Sequence, residues 1–79
     1  MKSVREWIND YLEEEFEISE LDEDAEFIGD LELSSLEVFT LLADLEYDYE
    51  IKIPEKLIRQ MVTVRDMQEI VDELLRQKT

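Results

Sequence analysis

Two adjacent serines stand where an acid-rich stretch gives way to helical periodicity, in the run Leu33-Ser34-Ser35-Leu36-Glu37. Their spacing assigns different jobs. Ser34 lies three residues before Glu37, the pattern in which a serine hydroxyl and a glutamate carboxylate cap each other's backbone N–H groups at a helix start. Ser35 is a second hydroxyl at the same helix start, open to chemistry that Ser-Ser-Leu by itself does not specify. That chemistry is not self-activated. The chain contains no histidine and no cysteine, so it lacks the commonest general base, a thiolate nucleophile and the usual zinc ligands. Aspartates and glutamates abound, yet nothing in their spacing singles out a catalytic pair, and none follows the EF-hand pattern. The chain is therefore read as a non-enzyme, with no catalytic residues and no metal site.

Charge narrows the function further. Twenty-three acids face eight bases, for a net charge of −15, and no Lys or Arg occurs between Glu6 and Ile51. Nucleic-acid binding needs a basic surface that releases counterions, and an anionic membrane surface would repel this chain, so both are excluded as partners. Long-range attraction favours basic protein surfaces instead. No apolar run approaches a membrane span, and the amino terminus is amphipathic and charged, unlike a signal sequence. A reducing cytoplasm is the expected compartment. The 44% apolar content is enough for a globular core, so the acidity is not read as disorder.

The elements that position the serines follow from periodicity. The first helix is predicted over about Lys2 to Phe16, with Ser3 and Glu6 as a capping box and Val4, Trp7, Ile8, Tyr11 and Leu12 as its apolar stripe. A long connection, Glu17 to Ser34, follows, with Ile18, Leu21, Phe27, Ile28, Leu31 and Leu33 expected to pin it over the helices. The second helix starts at Ser34–Ser35 and buries Val38, Leu41, Leu42, Leu45 and Tyr49. Pro54 breaks the pattern and suits the start of a short third helix, Glu55 to Gln60, with Leu57, Ile58 and Met61 inward. Thr63 with Asp66 caps the fourth helix, whose stripe is Val64, Met67, Ile70, Val71 and Leu74. The tail Gln77-Lys78-Thr79 is expected to fray. The predicted fold is all-α: a small antiparallel four-helix bundle, residues 1–79 as one domain, with three longer helices, a short third helix and a long first loop.

On these residues the sequence resembles the acyl carrier protein family. The stretch Phe27-Ile28-Gly29-Asp30-Leu31-Glu32-Leu33-Ser34-Ser35-Leu36-Glu37 looks like the family's modification segment, in which an Asp-Leu-Gly run leads into an Asp-Ser-Leu triplet. Residues 43–54, ending Ile53-Pro54, are similar to the family's close of helix two. The run Val62-Thr63-Val64-Arg65-Asp66 is similar to its fourth-helix entry. The resemblance covers essentially the whole chain, at the length of a free-standing carrier.

It implies that Ser35 bears 4′-phosphopantetheine, derived from coenzyme A, with an acyl group as thioester at the far end. A phosphate at a helix start meets free N–H groups and the positive dipole end. The implied function is an acyl carrier protein, presenting acyl groups for fatty-acid, polyketide or related biosynthesis. The implied partners are a phosphopantetheinyl transferase and basic-surfaced acyl synthases and transferases, met by the chain as a monomer. Leu36, Glu37, Glu46 and Asp48 are the expected docking residues, Leu36 as an apolar contact beside the arm. Phe39 is assigned to rim packing. Ser34 keeps the helix cap but lacks the charge of the family's aspartate. Glu32 stands where the family has glycine, and Thr40 where it usually has glutamate. Those departures point to a specialised carrier. Ser34 is the alternative attachment site. A peptidyl or aminoacyl carrier, or an unmodified acidic adaptor on basic protein surfaces, are the alternative functions.

Overall fold

The computed structural model describes residues 2–19 and 21–78. Among the described residues it is a small helical bundle of four helices, α1 (Val4–Phe16), α2 (Ser35–Tyr49), α3 (Glu55–Ile58) and α4 (Val64–Lys78). Local chemistry starts each long helix as the sequence predicts. Ser3 Oγ accepts from Glu6 N at 3.2 Å while Glu6 Oε1 accepts from Ser3 N at 3.2 Å. Thr63 Oγ1 accepts from Asp66 N at 3.1 Å, and Asp66 Oδ2 accepts from Thr63 N at 3.0 Å. Such caps satisfy backbone N–H groups that have no partner inside the helix.

Helix ends are less ordinary. Glu17 and Glu50 close α1 and α2 in the left-handed conformation, at φ 58° and φ 55°. That position usually falls to glycine, because a Cβ is crowded there. Neither α1 nor α2 has a basic residue in its last turn. For α2 the missing cation comes from elsewhere: Lys78 Nζ donates to Tyr49 O at 2.8 Å, placing positive charge on the negative dipole end. This contact corrects the expectation of a frayed tail. Gln77 and Lys78 are helical, held by the Lys78 bond, and Thr79 lies outside the described residues.

Three leucines of α2, Leu41, Leu42 and Leu45, are buried at the centre, against Ile8 and Leu12 of α1 and Met67 and Val71 of α4 in one apolar cluster. Complete burial of a leucine side chain contributes about 1.5–3 kcal/mol, so these three residues do much to hold α2 in the bundle. Beside the core, an aromatic seam joins α1 to α2. Trp7 stacks on Tyr11 at 5.1 Å and meets Tyr49 edge-on at 6.4 Å. Their polar ends are satisfied across the seam: Trp7 Nε1 donates to Asp48 Oδ2 at 2.7 Å, Tyr11 Oη to Asp44 Oδ2 at 2.7 Å, and Tyr49 Oη to Lys2 O at 3.0 Å.

The long first connection is pinned, though not only by apolar anchors. Phe27 and Leu33 are buried and Ile18, Leu21 and Leu31 half-buried, whereas Ile28 is 58% exposed and does not anchor anything. Backbone pairing supplies much of the hold. Phe27 N donates to Val62 O at 3.0 Å, Val64 N to Ala25 O at 3.2 Å and Arg65 N to Glu23 O at 2.8 Å. These bonds lay the loop along the segment that joins α3 to α4, with an antiparallel bridge between Glu26 and Thr63. An ionic clamp reinforces them. Arg5 of α1 and Arg65 of α4 both pair with Glu23, and Arg65 Nε also donates to Asp24 at 3.0 Å. The third helix ends at Ile58, two residues earlier than its pattern suggests, with Arg59 and Gln60 in turns that lead to the buried Met61.

The seam has a pH signature. Burial, reinforced by the bond to the Asp44 carboxylate, pushes the Tyr11 phenol well above its ordinary 10.0, and burial raises Tyr49 in the same direction. A group whose pKa is higher folded than unfolded adds stability that is complete below its unfolded pKa and is lost as pH rises through the folded value. Urea unfolding should therefore show stability falling from about pH 10 upward. Tyr11→Phe should flatten that fall, leaving the smaller share of Tyr49. An unaltered alkaline slope in Tyr11→Phe would contradict the role assigned to this hydroxyl.

Candidate functional site

The site is built from the start of α2. Ser34 has extended backbone, φ −81° and ψ 163°, and Ser35 is the first helical residue. Ser34 Oγ accepts from Glu37 N at 3.1 Å, and Glu37 Oε1 accepts from Ser34 N at 2.8 Å. The capping box thus occupies both residues that flank Ser35 and Leu36, and it sets where the helix begins. Ser35 itself is exposed. Its hydroxyl stands on a rigid element yet reaches solvent.

Beside it lies an apolar groove of about 260 Å³. One wall is Ser35, Val38 and Phe39 of α2. The lining is completed by Ile58, Arg59, Met61 and Val62 and by residues 26–29 of the first loop. Among the described residues, Ile28, Leu36, Phe39, Tyr47 and Val62 are the large hydrophobics left exposed. Three of these, Ile28, Phe39 and Val62, line the groove, and Leu36 follows Ser35 directly. Exposed apolar side chains gathered at one place mark a binding surface, whereas single ones scattered elsewhere need no explanation. Phe39, assigned to rim packing by sequence, is 51% exposed and forms the groove's edge.

The loop that brings Ile28 and Gly29 here is shaped by two features. Glu26 O accepts from both Asp30 N and Leu31 N at 3.0 Å, and Asp30 Oδ2 accepts from Glu26 N at 2.8 Å, closing a tight turn. Two residues on, Glu32 adopts φ 59°, a left-handed conformation at the very position where the resembling family has glycine. The residue best suited to that backbone shape, glycine, is absent here.

The predicted docking residues divide into two groups. Leu36 is 74% exposed, free on the outer face of α2. The three acids each have an internal partner. Glu37 serves the cap. Glu46 is half-buried, and its Oε2 accepts from Ile53 N at 2.7 Å, tying α2 to the segment before α3. Asp48 holds the Trp7 indole. Helical geometry separates them too. At about 100° per residue, Glu46 lies within about 20° of Ser35 around the helix, while Asp48 lies on another side, some 20 Å along the axis. The residues that run outward in line with Leu36 are Thr40, Ala43 and Tyr47, all exposed and none of them charged.

Residues 4–71 match the family model described as a phosphopantetheine attachment site. The chain belongs to that family. No curated protein matches it. Family membership makes this a phosphopantetheine carrier, a domain type that bears the group covalently. The residues present fit the group. An exposed serine hydroxyl sits at a helix start, where an attached phosphate meets N–H groups and the positive dipole end, and an apolar channel opens beside it.

Sequence reasoning reached the Ser34 cap because capping is local, and it reached Ser35 and Leu36 through the resemblance of the segment around them. It missed Ile28, Arg59 and Val62, which enter the site only through the folding of the loop onto the α3–α4 segment. One consequence of the loop geometry is measurable. A left-handed conformation costs an L-residue about 1–2 kcal/mol, and glycine gives back part of that through its freer unfolded chain. Glu32→Gly should raise the unfolding free energy by about 0.5–1 kcal/mol, read from the urea midpoint at constant slope. A destabilised Glu32→Gly would show that the glutamate side chain supports the loop more than its backbone strains it.

Proposed function

We propose that this chain is an acyl carrier protein whose 4′-phosphopantetheine is attached at Ser35, with an acyl group as its cargo, in the service of fatty-acid, polyketide or related biosynthesis in the cytoplasm. The observation that carries the reading is the exposed Ser35 hydroxyl at the first position of α2, at the mouth of an apolar groove. When bound, the arm supplies the thiol that the chain itself lacks, and with it thioester chemistry. The chain's own residues present and shelter. The Ser34–Glu37 box holds the attachment point on a rigid helix. Val38, Phe39, Ile58, Met61 and Val62 offer the cargo an apolar wall, which favours acyl over aminoacyl or peptidyl groups.

Charge and contact divide the work of partner recognition. The net charge of −15 steers a basic-surfaced transferase or synthase toward the chain from a distance. Glu37, Glu46 and Asp48 contribute to that field even while bonded internally. Once a partner covers Ser35, it meets Leu36 and Phe39. Steering by charge raises association rates, whereas apolar packing slows dissociation.

Two measurements test this. Coexpression with a phosphopantetheinyl transferase of broad specificity should add one arm to the intact mass, and Ser35→Ala should abolish the gain. A mass that never changes would leave an unmodified acidic adaptor as the better reading. For the transferase complex, raising salt from 0.1 M to 1 M shortens the screening length from about 10 Å to about 3 Å. Association should slow markedly while dissociation stays nearly constant. A dissociation rate that climbs with salt would assign the contact itself to ion pairs.

A further inference from the structure

We propose that Arg59 is the anion-recognition residue of the groove, contacting an anionic group on the arm: the phosphodiester at its root, or a carboxylate at the end of a dicarboxylic cargo. The proposal rests on attachment at Ser35.

The basic residues are few, and several are held in contacts of the fold. Arg5 and Arg65 clamp Glu23 and so hold the first loop. Lys2 pairs with Asp10 at 2.6 Å, and Lys78 caps the end of α2. Arg59 has no such duty. Its bond to Glu55 Oε1, at 3.2 Å, lies within one turn, with both side chains 76% exposed. An exposed pair of this kind is worth little and exchanges readily. Arg59 is also the one cationic residue among those that line the groove with Ser35.

The electrostatics of the site favour such a residue. An arm at Ser35 adds a phosphodiester anion to a chain already at −15, two residues from Glu37. Glu26, on the loop side of the groove, repels an anion entering it. The side of Arg59 is the favourable one. A guanidinium matches phosphate and carboxylate oxygens with paired N–H donors, which an ammonium does not. Glu55 then acts as a competitor that holds the guanidinium when no anion is present.

NMR on the intact chain tests the idea. The chain is prepared unmodified, with the free-thiol arm, with a hexanoyl arm and with a glutaryl arm, each verified by mass. The readouts are the Arg59 side-chain Nε–Hε resonance and the ³¹P resonance of the arm, with Arg65 as internal reference. If the phosphodiester is the partner, the Arg59 signal moves on attachment of the arm and is the same for every cargo. Arg59→Gln then shifts the ³¹P resonance, while Lys56→Gln does not, and Glu55→Gln enlarges the response. If the carboxylate is the partner, the Arg59 signal moves only with the glutaryl arm. A verified arm with an Arg59 signal that follows Arg65 in all states, and a ³¹P resonance indifferent to Arg59→Gln, would overturn the proposal while leaving Ser35 attachment intact. A chain that gains no mass refutes both.

Discussion

The reciprocal pair of hydrogen bonds between Ser34 and Glu37 is the constraint from which the site follows. It decides that α2 begins at Ser35 and not a residue earlier or later. A helix starting one residue earlier or later would keep the phase of Leu41, Leu42 and Leu45, which core packing sets, but would change the backbone at Ser34 and so the approach of the first loop to Ser35. Local capping and global packing agree on a single register, the kind of consistency that marks a sequence specifying one fold. Ser34, standing where the resembling family has aspartate, keeps this function, because both residues accept the same backbone bond.

The groove depends on a second constraint, the seating of the first loop. Without the pairing of residues 25–27 with 62–64, and without the double arginine grip on Glu23, the loop would have no reason to lie where Ile28 and Gly29 close the site. Glu32 shows how firmly that path is imposed: an ordinary L-residue is held in a left-handed conformation by the bonds around it. Glutamates in the same conformation end α1 and α2. A chain so rich in acid accepts local backbone strain at three places where glycine would be easier.

Much of the fold was legible in the sequence because its determinants are close in the chain. Capping boxes span three residues, and the buried stripes of α1, α2 and α4 repeat every three or four. Pro54 marked the entry to α3. What escaped was tertiary. Ile28 has the composition of an anchor, yet the tight turn closed by Glu26 and Asp30 faces it outward. Phe39 reads as rim packing until Val62 and Ile58 join it in lining the groove. Lys78 looks like a fraying tail until it meets the carbonyl of Tyr49. The acids of α2 look like a free surface, and only the packed structure reveals that Asp48 holds an indole and Glu46 a backbone N–H. The helix start at Ser34–Ser35 was readable and its surroundings were not, because a cap is a local motif and a groove is an assembly of distant segments.

These relations make one carrier-like arrangement from simple parts: a fixed helix start, an exposed hydroxyl, an apolar channel beside it and a strong negative field around it. The claim on which all of this turns is that Ser35, and not its neighbour, receives the arm. Proteolysis of the modified chain at glutamate, followed by fragment-ion mass spectrometry, reads this directly. The peptide spanning Leu33 to Glu37 should carry the phosphopantetheine on Ser35, with Ser34 unmodified. An arm found on Ser34 would break the capping box that positions the site and would contradict the account.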